Sequence, residues 1–292
     1  MIYLILSVVA STLIFIAFKL FDYFKINTLQ AIVFNYSVAC LCGFIAYENP
    51  INIAQIPSYD WFYGAIGLGV LFIVIFNLMA ITTQRSGLSV VSVATKMSVV
   101  VPILFGILYY SESLGIWKII GILLALAAVY LSSIKNTTGI AVERKNIIFP
   151  ILVFVGSGII DTSIKFIEES YVAKTDVPLF SATLFASAFV IGIFIILYQI
   201  IMGTFKFEFK NLLGGIGLGV PNYFSIYFIV QALRSDGVES STIFAINNVA
   251  IVMVSTVLGI LFFKEKLITK NWIGIGLAVL SIMLVASSTS AL

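Results

Sequence analysis

The sequence predicts an all-α integral membrane protein of ten transmembrane helices, arranged as two inverted five-helix repeats. Three observations carry that prediction. Of the 292 residues, 61% are hydrophobic and only 10% are charged, whereas a soluble domain is about a quarter charged. The apolar residues gather in ten stretches, each near the roughly 20 residues needed to cross a bilayer. The second half of the chain also repeats the first in register.

The ten predicted spans cover residues 2–21, 29–47, 61–84, 89–110, 115–134, 147–167, 178–202, 211–233, 238–263 and 271–289. Short polar breaks separate them. Asn49-Pro50 with Pro57-Ser58 divides the second span from the third, and Arg85-Ser86-Gly87 is a tight turn between the third and fourth. The longest polar stretch, 135–146, falls at the midpoint and reads as a linker joining a first repeat (1–134) to a second (147–292). The N-terminal stretch lacks a basic region and a small-x-small cleavage pattern, so it is expected to be a retained span.

Composition also excludes. With no histidine, the chain cannot build a Ser-His-Asp or Cys-His triad, a zinc-protease helix or a histidine-ligated haem. Cys40 and Cys42 lie in an apolar segment and read as small core hydrophobes rather than metal or redox ligands. A net charge of +3 without a basic run gives no footprint for nucleic acid. No enzymatic activity is expected. The rival reading, a membrane-embedded lipid enzyme, needs a nucleophile or metal constellation, and only Glu112 and Glu265 recur at loop edges.

The repeat is visible residue by residue. Residues 64–70 (GAIGLGV) match 214–220 (GGIGLGV) at six of seven positions, and at the same offset Gly87 falls on Gly237 and Ser92 on Thr242. After a three-residue insertion Glu112 falls on Glu265, Leu114 on Leu267 and Gly121 on Gly274. In the first spans Ser11 falls on Ser157 and Lys19 on Lys165. Five spans per half is an odd number, so the second copy enters the membrane the other way up, an architecture in which substrate is held near the midplane.

Orientation follows from the loop cations. Eleven lysines and arginines, among them Arg85, Arg144, Lys264 and Lys266, lie on the side of loops 1–2, 3–4, 5–6, 7–8 and 9–10; four, Lys118, Lys165, Lys174 and Arg234, lie opposite. The richer side is expected to be cytoplasmic, with both termini outside a plasma-membrane protein.

The fourth span is the centre of the functional reading. It carries Lys96 about two turns in and Pro102 at its middle. An intramembrane charge is costly and rarely faces lipid, and a mid-helix proline frees a carbonyl that a neighbour must satisfy. Lys96 reads as a binding-site cation for a carboxylate or phosphate; the plainer alternatives are a structural ion pair or a stem that snorkels to the interface. Its mirror span carries Asn247 and Asn248, which suit an amide, hydroxyl or amino-acid backbone or serve as inter-helix glue. Asp161 and Lys165 in the sixth span are an i,i+4 pair that either handles charge during transport or satisfies itself. Lys19 and Lys165, near span ends, are expected to snorkel. The glycines at 64, 67, 69, 214, 215, 217 and 219 read as close helix packing.

Two five-helix halves, Pro102 with Glu112 and Leu114 ending one span, and Phe263, Glu265 and Leu267 followed by Trp272 and Gly274 in the second half, resemble the drug/metabolite transporter superfamily, and most of all its EamA-like ten-helix family. Val252 stands where the second half would repeat Pro102, so a hinge at that proline would be one-sided. The segment Phe244 to Asn248 faintly resembles the G-A-L-N-K motif of nucleotide-sugar transporters. The resemblance implies secondary transport, often export, of a small polar metabolite such as an amino acid or related carboxylate, by alternating access through a central cavity. A nucleotide-sugar or sugar-phosphate exchanger is the alternative. It also implies a monomer or homodimer in the lipid bilayer, with no cofactor and no ATP; the chain has no G-x-x-x-x-G-K-[ST] loop. Spans three and eight would border the cavity, bringing Asn77, Gln84, Tyr227 and Gln231 to its lining.

Overall fold

A computed structural model of the protein describes residues 2–47, 49–50, 52–109, 116–133, 145–173, 175–233 and 240–289. Glu112, Leu114, Lys174, Arg234, Gly237 and most of the expected linker lie outside the described residues, as do both ends of the chain. The described residues form eleven α-helices: α1 (Ile2–Tyr23), α2 (Thr28–Ile45), α3 (Phe62–Ser86), α4 (Leu88–Met97), α5 (Val100–Tyr109), α6 (Ile116–Ser133), α7 (Lys145–Tyr171), α8 (Val177–Ile201), α9 (Phe209–Leu233), α10 (Ser240–Phe263) and α11 (Thr269–Thr289), with a short 3-10 helix at Ile53–Ser58. There are eight segments long and apolar enough to cross a membrane among them, and shorter apolar stretches in α6 and α11. The protein is a multi-pass helical membrane protein. In lipid every backbone polar group must be satisfied within the segment, which is why the apolar stretches are helices.

Ten spans were expected where eleven helices are found, and the difference is local. The fourth predicted span is two helices, α4 and α5, separated by a turn at Ser98–Val99. Pro102 has no N–H to give the carbonyl four residues back, and its ring crowds that carbonyl. The Ser98 carbonyl instead accepts from Val101 N–H at 2.9 Å, a tighter i,i+3 bond. At the corresponding place in α10 stands Val252, and α10 runs unbroken from Ser240 to Phe263.

The helices fall into two compact units, each drawing on both halves of the chain. Unit 1 comprises 1–19, 78–159 and 224–292; unit 2 comprises 20–77 and 160–223. In unit 2, α2 packs against α8; in unit 1, α6 packs against α11 and α4 against α10.

Small residues set these crossings. A Cβ on Gly43 of α2 would lie 3.0 Å from Ala182 Cβ on α8, and one on Gly192 of α8 would lie 2.5 Å from Val33 on α2. Gly192 and Ala182 each stand 149 positions after Gly43 and Val33 (192 − 43 and 182 − 33), so one contact is made twice. Tyr36 and Phe185, also 149 apart (185 − 36), stack on each other with centroids 6.2 Å apart. The α6–α11 crossing behaves likewise. Gly274 abuts the Ala128 carbonyl, 3.0 Å from where its Cβ would be, and Ser281 Oγ donates to the Gly121 carbonyl at 2.7 Å. Here the counterparts are 153 apart (274 − 121 and 281 − 128).

The glycine run that marks the repeat does the same. A Cβ on Gly69 of α3 would sit 2.9 Å from Ser187 Cβ on α8, and one on Gly219 of α9 would sit 2.7 Å from Val38 Cβ on α2. Gly64 abuts Ile167 of α7, and Gly214 abuts Phe21 of α1, at 2.7 and 3.1 Å. Gly67 and Gly217 face open space, so the expectation of close packing holds for the other members of the run and not for these two.

Candidate functional site

Lys96 occupies the last turn of α4 and is half-buried. The other nine residues make α4 a short rod that is buried almost all round, from Leu88 to Ala94 and again at Met97. On the helix packed against it, Asn247 is 5% exposed and its Oδ1 accepts no hydrogen bond among the described residues. A buried acceptor left without a donor costs about 1–3 kcal/mol, so natural structures keep few of them. Asn248, next along α10, is half-buried. Unit 1 thus packs together the helix that carries the intramembrane cation and the helix that carries an orphaned amide oxygen. Tyr227 and Gln231 lie in the part of α9 that belongs to this unit. Tyr227 is exposed and packs edge-on to Phe224 at 6.0 Å, and Gln231 is half-buried. Pro102 is half-buried in α5.

The other candidates belong to unit 2. Asn77 is half-buried and donates to the Ile73 carbonyl one turn back at 2.8 Å, which uses one of its donors on its own helix. Asp161 and Lys165 are both exposed on α7.

Lys19 does more than snorkel. Its Nζ donates to the Thr83 and Gln84 carbonyls, both at 3.4 Å, and Gln84 Nε2 donates back to the Phe18 carbonyl at 3.2 Å. These carbonyls lie in the last turn of α3, where that of Thr83 also accepts from Gly87 N–H at 3.0 Å and a cation is favoured by the helix dipole.

Sequence reasoning set Glu265 aside as a loop-edge residue, and the structure gives it a defined partner. Its Oε1 accepts from Leu88 N–H at 2.6 Å, and its Oε2 accepts from Ser89 Oγ at 3.1 Å and Ser89 N–H at 3.5 Å. These donors open α4. The one sequence signal was that a Glu recurs at this place in both halves, at 112 and 265.

Unit 2 also carries a groove of about 420 Å³, lined by Phe44, Ile56, Phe62, Thr183, Ser187 and Ile191 among others. Its two hydroxyls are already bonded within α8, Thr183 to Leu179 and Ser187 to Thr183, each at 2.8 Å. It offers no charge to a polar ligand, and none of the sequence-predicted site residues lines it.

The fold and the polar residues within its spans define a multi-pass helical membrane protein. Its sequence is 30% identical over 280 residues to a Haemophilus influenzae protein described as "Uncharacterized protein", covering 93% of each chain. The chain belongs to the same family as that protein. A solved structure described as "Crystal structure of protein" aligns with 98% of each chain at a TM-score of 0.59 and 14% identity, a likeness of fold. No family model matches the sequence.

Proposed function

We propose that the protein is a secondary transporter, working as an exporter of a small polar metabolite such as an amino acid or related carboxylate, and that it is a member of the drug/metabolite transporter superfamily. The observation that carries this reading is the set of doubled contacts. Gly43–Ala182 with Gly192–Val33 and Gly121–Ser281 with Gly274–Ala128 are pairs in which each half supplies what the other receives. Self-complementary contacts of this kind arise from a two-fold relation. With the five spans expected in each half, such a relation supports an inverted repeat, the arrangement that supplies two equivalent conformations opening to opposite faces. Both termini then lie outside and the 135–146 linker is cytoplasmic in the plasma membrane.

Substrate binds at the α4–α10 pair. Lys96 receives its carboxylate, and the Asn247 Oδ1, which has no donor among the described residues, receives an N–H or O–H of the same molecule. Asp161 and Lys165, in unit 2, handle charge during transport. In proteoliposomes Lys96→Met abolishes export of the carboxylate substrate while the purified protein remains folded. Lys96→Arg restores little, because guanidinium and ammonium differ in shape and hydration. Wild-type flux through Lys96→Met shows that the lysine is structural. Saturable exchange of sugar phosphates with no flux of amino acids assigns the site to the phosphate class instead.

A further inference from the structure

We propose that helix α4 is a hinged rod and that the Glu265 carboxylate is the latch that holds its N-terminal end. The inference rests on the transporter reading for its purpose and on the geometry of unit 1 for its existence.

The latch is built, not incidental. The α10–α11 corner is turned by Lys264 at φ +52°, a conformation rare for a residue with a side chain, and Glu265 N–H then bonds back to the Gly259 carbonyl at 3.0 Å. That fixes the carboxylate over the start of α4, where three donors converge on it at 2.6–3.5 Å. Two glycines leave it room. A Cβ on Gly87 would fall 2.5 Å from Oε1, and one on Gly259 would fall 2.6 Å from Oε2. Gly87 also sits at φ +105°, which few other residues tolerate. A helix start carries about half a positive charge, and bonds to an ionised acceptor are about twice as strong as neutral ones.

The other end of α4 is the weak point. The Pro102 break leaves Ser98–Val99 as a turn, and Gly158 of α7 lies against it, with the Ser98 carbonyl 2.9 Å from where a Cβ would be and Val101 nearer still. Between its ends α4 packs against α10, α6 and α11, so the bonds to Glu265 and the joint at Ser98 are where its tilt is set. Releasing Glu265 swings the start of α4 while the joint stays seated, and Lys96, two residues before the joint, turns with it.

The test uses the purified full-length protein with Cys40 and Cys42 replaced by serine and one cysteine placed at Ser92 on α4 or, as control, at Ser255 on α10; both serines are fully buried. Labelling by a polar maleimide is timed for the parent, Glu265→Gln, Glu265→Ala and Gly87→Ala. Glu265→Ala and Gly87→Ala speed labelling at position 92 about tenfold or more, as loss of bonds to a charged acceptor predicts. Glu265→Gln gives a smaller increase, and position 255 stays protected throughout. Parent-rate labelling at 92 in all three variants overturns the latch, as does equal exposure of 92 and 255, which marks general loosening. If Glu265→Ala does not fold, the isosteric Glu265→Gln decides by the same criterion. Faster labelling in a protein that moves no solute leaves the latch and removes the transporter reading; solute flux with unchanged labelling does the reverse.

Discussion

Two seams in unit 2, related by sequence offsets of 149 and 150 residues, are made of opposite chemistry. Between α2 and α9 the seam is polar. Asn211 Oδ1 accepts from Asn27 N–H at 2.8 Å, Asn211 Nδ2 donates to Gln30 Oε1 at 2.7 Å, and Asn222 Nδ2 donates to Asn35 Oδ1 at 3.1 Å. Between α8 and α3 the counterpart positions are apolar. Leu184 (35 + 149) and Phe72 (222 − 150) replace Asn35 and Asn222, while Leu179 (30 + 149) and Trp61 (211 − 150) replace Gln30 and Asn211. Trp61 meets Phe180 edge-on at 5.6 Å, and Phe72 meets Phe185 edge-on at 5.7 Å. What the seams share is the glycine contact, Gly219 on Val38 and Gly69 on Ser187. Lipid tails are as apolar as leucine, so helices in a bilayer associate by close packing and hydrogen bonds rather than by burial from water. Backbone approach is therefore what both halves retain, and the side chains around it are free to be amides or rings.

That comparison can be broken at four places. The largest effect is expected in the aromatic seam: Trp61→Ala empties a fully buried site and costs about 3–5 kcal/mol in thermal or denaturant unfolding of the purified protein. A loss below about 1 kcal/mol would show that rings do not hold this seam. Next come the shared glycines. Gly215→Ala meets Phe34 and puts its Cβ 2.9 Å from the Ala31 carbonyl, and Gly69→Ala meets the Ala188 backbone nitrogen at 2.8 Å. Each is expected to destabilise by about 1–3 kcal/mol through overpacking, by similar amounts in the two seams.

The third place is the amide pair. Asn222→Phe alone strands the buried Asn35 and costs about 1–3 kcal/mol. Adding Asn35→Leu, which writes the α3–α8 chemistry into α2–α9, restores most of it, with a coupling near the 0.6–1.7 kcal/mol measured for such bonds in membranes. Additive losses in the double-mutant cycle would show that the two residues do not act as a pair. The smallest effect is the control. Gly67→Ala and Gly217→Ala place a methyl in open space and are expected to be neutral or to stabilise by up to about 1 kcal/mol, the helix preference of alanine over glycine. Destabilisation there would mean that glycine content, not close approach, is what the run supplies.

Much of this was legible in the sequence. The glycine run 64–70 and 214–220 carries side-chain identities that survive at one offset, so the α3 and α9 correspondence was readable. The correspondence of α2 with α8 was not, because Gly43 and Gly192 stand in otherwise dissimilar segments and only their contacts reveal the 149-residue spacing. Of the candidate site, Lys96 and Asn247 were legible as polar residues in apolar spans. Lys19 and Glu265 were misjudged, as a snorkelling cation and a loop-edge acid, because each acts on backbone groups of a distant helix terminus, which no local pattern announces.

By itself the sequence determined that this chain crosses a membrane many times and roughly where its helices run, because bilayer thickness and backbone satisfaction act on each segment separately. The break in the fourth span was not among these: Pro102 interrupts its helix, whereas Pro150 and Pro221 lie within α7 and α9, which run on unbroken. Which helices pair, that Glu265 closes the start of α4 and that the Asn247 oxygen has no donor among the described residues were decided only by tertiary structure. Those outcomes depend on which backbones can approach across 100 residues or more of chain, and that is a property of packed surfaces rather than of any one stretch.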